Sequence, residues 1–456
     1  MNKEESLALY EKGVEAWNAW ANEMLAKKAE LEENKQWQID ANGKGINEVT
    51  REWINNSNVN FSNPNHIFDK KVDFSDFIFP YSVNFREVTF SGEAWFNNAK
   101  FNGDTKFDSA KFNDATRFIG AEFNGLTRFI GAEFNDSVRF NDASFSGTTW
   151  FGKASFSDNA WFNNAKFKGA VWFSRASFSG YTDLSDVKFR GKTYFMQASF
   201  GGSVDFNQTT FESISVFAAI DGKGHFSFRY TEFHLAPDFN QAHFTEAPQF
   251  DNSDFSRALQ TKEINLSFSS SWRALKRLAI QGHDQERELI FFAAEIKSLR
   301  GKEDKAFPQP LKYLINNNND ALWPGGSRYW FGYFYQCFSD FGRSIMRPLS
   351  WWLGLGALFL FLYLKYPIDA EPQATVSCDR TEAALYLSVR NALPFLPATG
   401  YSENLSRSYA YLYGKHSDGK ENVPNAIVFI SIFQTILSTI LIFLLLLALR
   451  NHFRIK

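Results

Sequence analysis

Four polar side chains interrupt an apolar run near the end of the chain: Ser431, Gln434, Thr435 and Ser438, within 426–449. Counted from Ser431 they lie 3, 4 and 7 residues on, which puts them on one face of a helix. In a lipid-embedded helix such a stripe either lines water or hydrogen-bonds to another helix. A second polar group, Tyr386, Ser388, Arg390 and Asn391, falls in "AALYLSVRNALPFLP", residues 383–397. That stretch is apolar but too short to span, and Arg390 and two prolines break it, so it reads as re-entrant or interfacial. Together the two groups could line a pore and its mouth. Catalytic spacing is absent elsewhere: there is no P-loop, no G-x-G-x-x-G after a strand, no G-x-S-x-G and no H-E-x-x-H. His283, Glu286 and Glu288 read as the charged face of a helix, and Cys337 and Cys378 have neither metal-ligand nor disulfide-framework spacing. No enzyme activity, cofactor or metal is expected.

The elements that must hold these residues are two apolar helices. Residues 348–364 are uncharged between Arg347 and Lys365, and 426–449 ends at Arg450. At ~1.5 Å per residue, 17 residues just cross a ~30 Å hydrocarbon layer with snorkelling flanks. Trp351 and Trp352 at one end, with Tyr363 and Tyr366 at the other, suit interfacial aromatic belts. Arg343 and Arg347 precede the first span, and Arg450, Arg454 and Lys456 follow the second. The loop 367–424 carries seven acidic and five basic residues, so the positive-inside rule predicts that both termini are cytoplasmic. The opening "MNKEESLALYEKGVEAW" has no apolar signal-peptide core, in agreement. Cys378 would then lie outside and Cys337 inside, unable to pair. The aromatic run Tyr329–Tyr335 reads as an inner interfacial segment.

The middle of the chain is a repeat. "RFIGAEF" at 117–123 returns at 128–134, and Phe118, Phe123, Phe129 and Phe134 are 5, 6 and 5 residues apart. The alternation extends from Phe74 to Phe255, (250 − 74)/11 + 1 = 17 units, broken only at Leu184 and Gly222. Ala121 and Ala132 occupy a small slot three residues after the first Phe of a unit, and most other units keep Ala there. This accounts for 51 Phe and 13 Trp against 4 Met. The spacing fits neither the 3.6 period of a helix nor the plain period of 2 of a half-exposed strand. A large and a small apolar residue at fixed offsets describe a tube, with Phe rings stacked inside and Ala in a crowded corner. His225, His234 and His243 fall at different offsets of the unit, so they do not stack into a metal site.

The pattern resembles the pentapeptide-repeat family, with consensus A-(D/N)-(L/F)-x-x, which Ala121-Glu122-Phe123-Asn124-Gly125 matches. The resemblance implies a mainly β protein, a right-handed quadrilateral β-helix. The extra residue in every second unit makes about 22 residues per coil and about eight coils over 74–255. At ~4.8 Å per strand the rod is roughly 40 Å long. Some members of the family mimic duplex DNA. Here 21 acidic and 16 basic residues give 74–255 a charge of 16 − 21 = −5, a mild field that makes mimicry a minor alternative. No nucleic-acid partner is expected from a net charge of −2.

The whole also resembles a bacterial group of pentapeptide-repeat proteins with two C-terminal spans, some with channel-like ends. Ala384-Leu385-Tyr386-Leu387-Ser388-Val389 resembles the start of the pore helix of two-helix cation channels. Asn391-Ala392-Leu393-Pro394-Phe395 stands where T-V-G-Y-G would be, so potassium selectivity does not carry over. The stretch Ser339-Asp340-Phe341-Gly342-Arg343-Ser344 fits the same resemblance.

Both rod ends need caps. Residues 5–34 read as one amphipathic helix with rows Leu7, Val14, Ala21 and Tyr10, Trp17, Met24, Leu31, either a cap or an oligomerising coiled coil. After Phe255, Ser271 and Asp284 are candidate N-caps of a helical hairpin. The expected order is an N-terminal helix (1–48), a lead-in segment or cap (49–73), the β-helix (74–255) and a helical cap and linker (256–310). An interfacial aromatic segment (311–347) and the two-span membrane region (348–456, loop 367–424) follow. The leading expectation is an inner-membrane homo-oligomer coupling a cytoplasmic rod to a channel-like pore. The alternative is a tethered scaffold whose rod docks a protein.

Overall fold

The computed structural model describes residues 1–40, 44–62, 67–260, 268–305, 326–366, 377–393, 401–414 and 421–454. The chain divides between Asp284 and Gln285 into two units, each taken by itself.

In the first unit a parallel β-solenoid grows directly from the repeat. Two-residue strands form four ladders of 8, 9, 8 and 8 strands among the described residues. Thr116–Arg117 pairs with Ala94–Trp95 on one side and Val138–Arg139 on the other, partners 139 − 117 = 22 residues apart. One coil is therefore four strands and 22 residues, and about eight coils stack. Phe118, Phe123, Phe129 and Phe134, all buried, are its four inward rungs. Phe118 stacks on Phe140 at 4.8 Å and 1°, and Phe123 on Phe145 at 4.7 Å and 1°. Across the lumen Phe118 meets Phe129 edge-on at 5.6 Å and 80°. A flat ring matches the strand spacing of ~4.8 Å, so every ring touches its column and its neighbours in favourable geometry.

Two kinds of corner alternate. Ala121 and Ala132 are fully buried, and their N–H groups donate to the carbonyls of Phe118 and Phe129 at 3.1 Å. Between them and the Phe, Gly120 and Gly131 turn the chain at φ +67° and +65°. The sixth residue of the longer spacing sits in the other corner, Asn124-Gly125-Leu126. There a Cβ on Gly125 would lie 2.5 Å from the carbonyl carbon of Gly103 one coil away. The Ala corner fixes the turn; the Gly corner fits the extra residue by close backbone stacking.

Helices close the ends of the solenoid. The single N-terminal helix expected over 5–34 is two, α1 (Lys3–Tyr10) and α2 (Val14–Glu33), because Gly13 at φ +87° breaks it. α3 (Glu48–Ser57) follows. α2 is a cap. Trp17 Nε1 donates to the Ile78 carbonyl at 2.9 Å, Asn18 Nδ2 donates to Asp76 O, and Asn18 Oδ1 accepts from Ile78 N. These side chains satisfy the bare strand edge that would otherwise recruit another chain. At the other end are α4 (Ser256–Gln260) and α5 (Phe268–Gln281). Trp272, Leu275 and Leu278 of α5 are buried, and Gln281 Nε2 donates to Phe244 O at 3.4 Å. Ser271 lies inside α5, not at its N-cap, because the helix begins three residues earlier.

The second unit is helical: α6 (Gln285–Lys305), α7 (Gly326–Ser339), α8 (Met346–Lys365), α9 (Ser377–Ala392), α10 (Tyr401–Tyr413) and α11 (Asn425–Arg454). α6 begins directly after Asp284, as expected, but belongs to this unit rather than to the solenoid. α8 and α11 are long and apolar enough to cross a membrane. Phe359, Tyr363, Leu387, Leu412, Tyr413 and Ile427 form a core shared by α8, α9, α10 and α11. Residues 311–325, the Pro394–Pro397 end of the re-entrant segment, and the side chains of Cys378 and Tyr329–Phe331 lie outside the described residues.

Candidate functional site

The polar residues of the apolar region converge. Tyr363 of α8 donates its hydroxyl to Gln434 Oε1 at 2.8 Å and lies 3.3 Å from Ser431 Oγ. Asn391 Nδ2 of α9 donates to the same hydroxyl at 3.0 Å. Gln434 Nε2 donates to Ser388 O at 2.9 Å, and Ser388 Oγ donates to Gly356 O of α8 at 2.7 Å. All five are buried, Tyr363 and Gln434 completely. A carboxamide or phenol in apolar surroundings must find partners, and here each of three helices supplies some.

Within one chain, the stripe expected to line a pore is largely packed against the chain's own helices. Gln434 and Ser438 are buried inside the chain's own helix packing, and Thr435 turns its hydroxyl back to the Ser431 carbonyl at 2.9 Å. Ser431 and Gln434 act as interhelical adhesive because the Tyr363 hydroxyl on α8 and the Ser388 carbonyl on α9 lie within reach. The buried Ser438 hydroxyl, by contrast, has no hydrogen-bond partner among the described residues. At the expected mouth, Ser388 and Asn391 join the node, whereas Tyr386 and Arg390 are half-buried on α9. What faces outward on α11 is apolar: Phe429, Phe433 and Phe443 are exposed. The node's centre, Tyr363, reads from sequence only as a belt tyrosine; its signal was a phenolic hydroxyl within reach of an apolar span.

A second constellation lies on the solenoid surface. Trp95, Arg117, Arg139 and Trp161 occupy consecutive outward positions of one ladder. The Trp95 ring is flanked by Lys71 Nζ at 2.9 Å and the Arg117 guanidinium at 4.5 Å from its centroid. Arg117 also approaches Glu93 at 3.8 Å, but Arg139 is exposed without an ion-pair partner among the described residues. Ile119, Arg139, Asn141, Trp161, Asn163 and Asp183 line a hollow of about 330 Å³. Farther along, Asp183 adjoins Asp205 in register. Burial, then the Asp183 and Asp205 charges, push the Tyr181 phenol up to about 12. Burial also raises the Asp205 carboxyl. Sequence reading missed this ladder, although its signal was present: the four residues recur at intervals of 22.

The histidines are dispersed. His234 contacts Glu232 and Arg257, and His225 lies 3.5 Å from Glu246. No group of three or more His, Cys, Asp or Glu placed to hold a metal occurs among the described residues.

Residues 85–132, 107–153, 129–177 and 173–219 match the family model described as pentapeptide repeats (9 copies). No curated protein matches significantly. No solved structure does either.

Proposed function

We infer that this pentapeptide-repeat protein is a membrane-tethered docking scaffold, its two apolar helices serving as anchor and its solenoid as the surface presented to a protein partner. The observation that carries the reading is the ladder Trp95–Arg117–Arg139–Trp161. Trp and Arg dominate binding energy at protein interfaces, and an exposed Arg139 without a counter-charge favours a partner that offers carboxylates. The arginines flanking the two spans favour an orientation with both termini cytoplasmic.

The pore remains a second reading on one observation: a short helix, α9, stands between the two long apolar ones, and the outward face of α11 is apolar enough for copies to associate. Three measurements test the readings, the first of them for the membrane anchor that both share. Membranes should release the chain to detergent but not to alkaline carbonate, and a cross-linked partner should be lost on combining Arg139→Ala with Trp161→Ala. Conductance from purified protein in planar bilayers that changes with Gln434→Leu would replace the scaffold with the pore.

A further inference from the structure

Neither the polar node nor the solenoid uses a large cavity in the second unit. It holds about 990 Å³ and is walled by Phe292 and Ile296 of α6, Tyr335 and Phe338 of α7, and Phe433 and Leu447 of α11. Along α11 it runs for 447 − 433 = 14 residues. That is ~21 Å of helix, against ~15 Å for one leaflet of a ~30 Å hydrocarbon layer. The groove is therefore long enough for a lipid tail.

Its Leu447 end meets two cations. Arg450 follows three residues later on the same helix and is exposed. Asn451 Nδ2 donates to the Gly342 carbonyl at 3.3 Å, which brings Arg343 to the end of α11. Gly342 has φ +79°, and a Cβ there would meet Tyr335 Oη at 2.8 Å and Asn451 Nδ2 at 2.9 Å, so this close approach requires glycine. The neighbouring Asp340 approaches Arg347 at 3.7 Å. Arg343 and Arg450 have no ion-pair partner among the described residues.

We propose that this groove is a phospholipid site, with an acyl chain along α11 and an anionic headgroup held by Arg343 and Arg450. A helix from a second copy, ~10 Å across, would fill apolar space but leave both guanidinium groups without a counter-charge. A zwitterionic headgroup would neutralise them only in part. Basic pockets between membrane helices at the cytoplasmic side take anionic headgroups for this reason. The proposal rests on the membrane reading above, which is tested separately by carbonate extraction.

Non-denaturing mass spectrometry of the full chain in detergent tests it with phosphatidylglycerol and phosphatidylcholine of identical tails. One phosphatidylglycerol per chain should be retained in preference to phosphatidylcholine. Inorganic phosphate alone should not displace it, because the tail contributes. Combining Arg343→Gln with Arg450→Gln should weaken retention about 30-fold, the equivalent of ~1 kcal/mol per charge. Leu447→Trp, which narrows the groove at its headgroup end and keeps both charges, should weaken retention of either lipid. Equal retention of the two lipids, unchanged retention by the doubly neutralised chain, displacement by phosphate alone, or a lipid-free dimer would overturn the proposal. A chain that resists carbonate yet shows any of those outcomes is still a membrane protein, so the two failures are distinguishable.

Discussion

Phe226 occupies the space that Gly222 leaves in the phenylalanine column. A Cβ on Gly222 would lie 2.5 Å from the Phe226 ring, which is fully buried and meets Phe200 at 5.4 Å and Phe244 at 4.9 Å, both edge-on. The missing rung is thus replaced from the adjoining face of the same coil. Phe226→Val should open a cavity and destabilise the solenoid by about 3 kcal/mol. Gly222→Phe alone should be as harmful through overlap. The double variant, which restores the regular pattern, should recover most of the loss, and a double-mutant cycle of denaturant midpoints measures that coupling.

The N-terminal cap gives a second expectation. Trp17→Ala removes a fully buried indole and leaves the Ile78 carbonyl without its donor. A loss of about 4 kcal/mol follows, and amide exchange near Ile78 should rise before that at Phe129. Exposure of the first strand edge should also make the variant aggregate, visible by light scattering.

For the polar node, Gln434→Leu deletes bonds to both α8 and α9. Interhelical bonds in membranes are individually weak, ~0.6 kcal/mol on average, but Tyr363 and Ser388 would each lose a partner. Detergent melts should shift down by several degrees, whereas Thr435→Val, which removes a hydroxyl bonded to its own helix, should barely move them.

Asp205 supplies a pH dependence. Burial raises its folded carboxyl above the ordinary 3.8, so the folded chain holds that proton more tightly than the unfolded chain. Its contribution favours folding below that range and is lost as pH climbs through the raised value. Asp205→Asn should remove this fall with rising pH, so that stability gains more between acid and neutral pH than in the parent and the midpoint at neutral pH is raised, followed by circular dichroism of the solenoid signal.

The solenoid was legible because every coil repeats the same constraint: Phe118, Phe123, Phe129 and Phe134 are forced inward, and Ala121 and Ala132 fit only the tight corner. A periodic signal survives individual departures such as Leu184. The caps were partly legible. Trp17 and Met24 belonged to a visible apolar row, yet the break at Gly13 came from a single left-handed residue that periodicity does not register. The polar stripe was visible as a stripe, but its partners Tyr363 and Ser388 lie 71 and 46 residues away from Gln434, and sequence spacing does not encode such approaches. Trp95, Arg117, Arg139 and Trp161 were hidden for the opposite reason: they vary in type, while the adjoining column Phe96, Phe118, Phe140 and Phe162 is uniform.

The two kinds of corner give the solenoid an arithmetic of insertion. Adding 22 residues contributes one full coil, lengthening the stack by ~4.8 Å and leaving each later side chain facing as before. Adding 11 keeps every phenylalanine inward and every corner chemically sound, yet sends all later ladders to the opposite side. An insertion of 11 between Arg117 and Arg139 would therefore separate Trp95 and Arg117 from Arg139 and Trp161 by half a revolution, without a cavity or a clash. Stability and surface identity are thus governed by different periods, so a duplication that folding tolerates can erase a binding face.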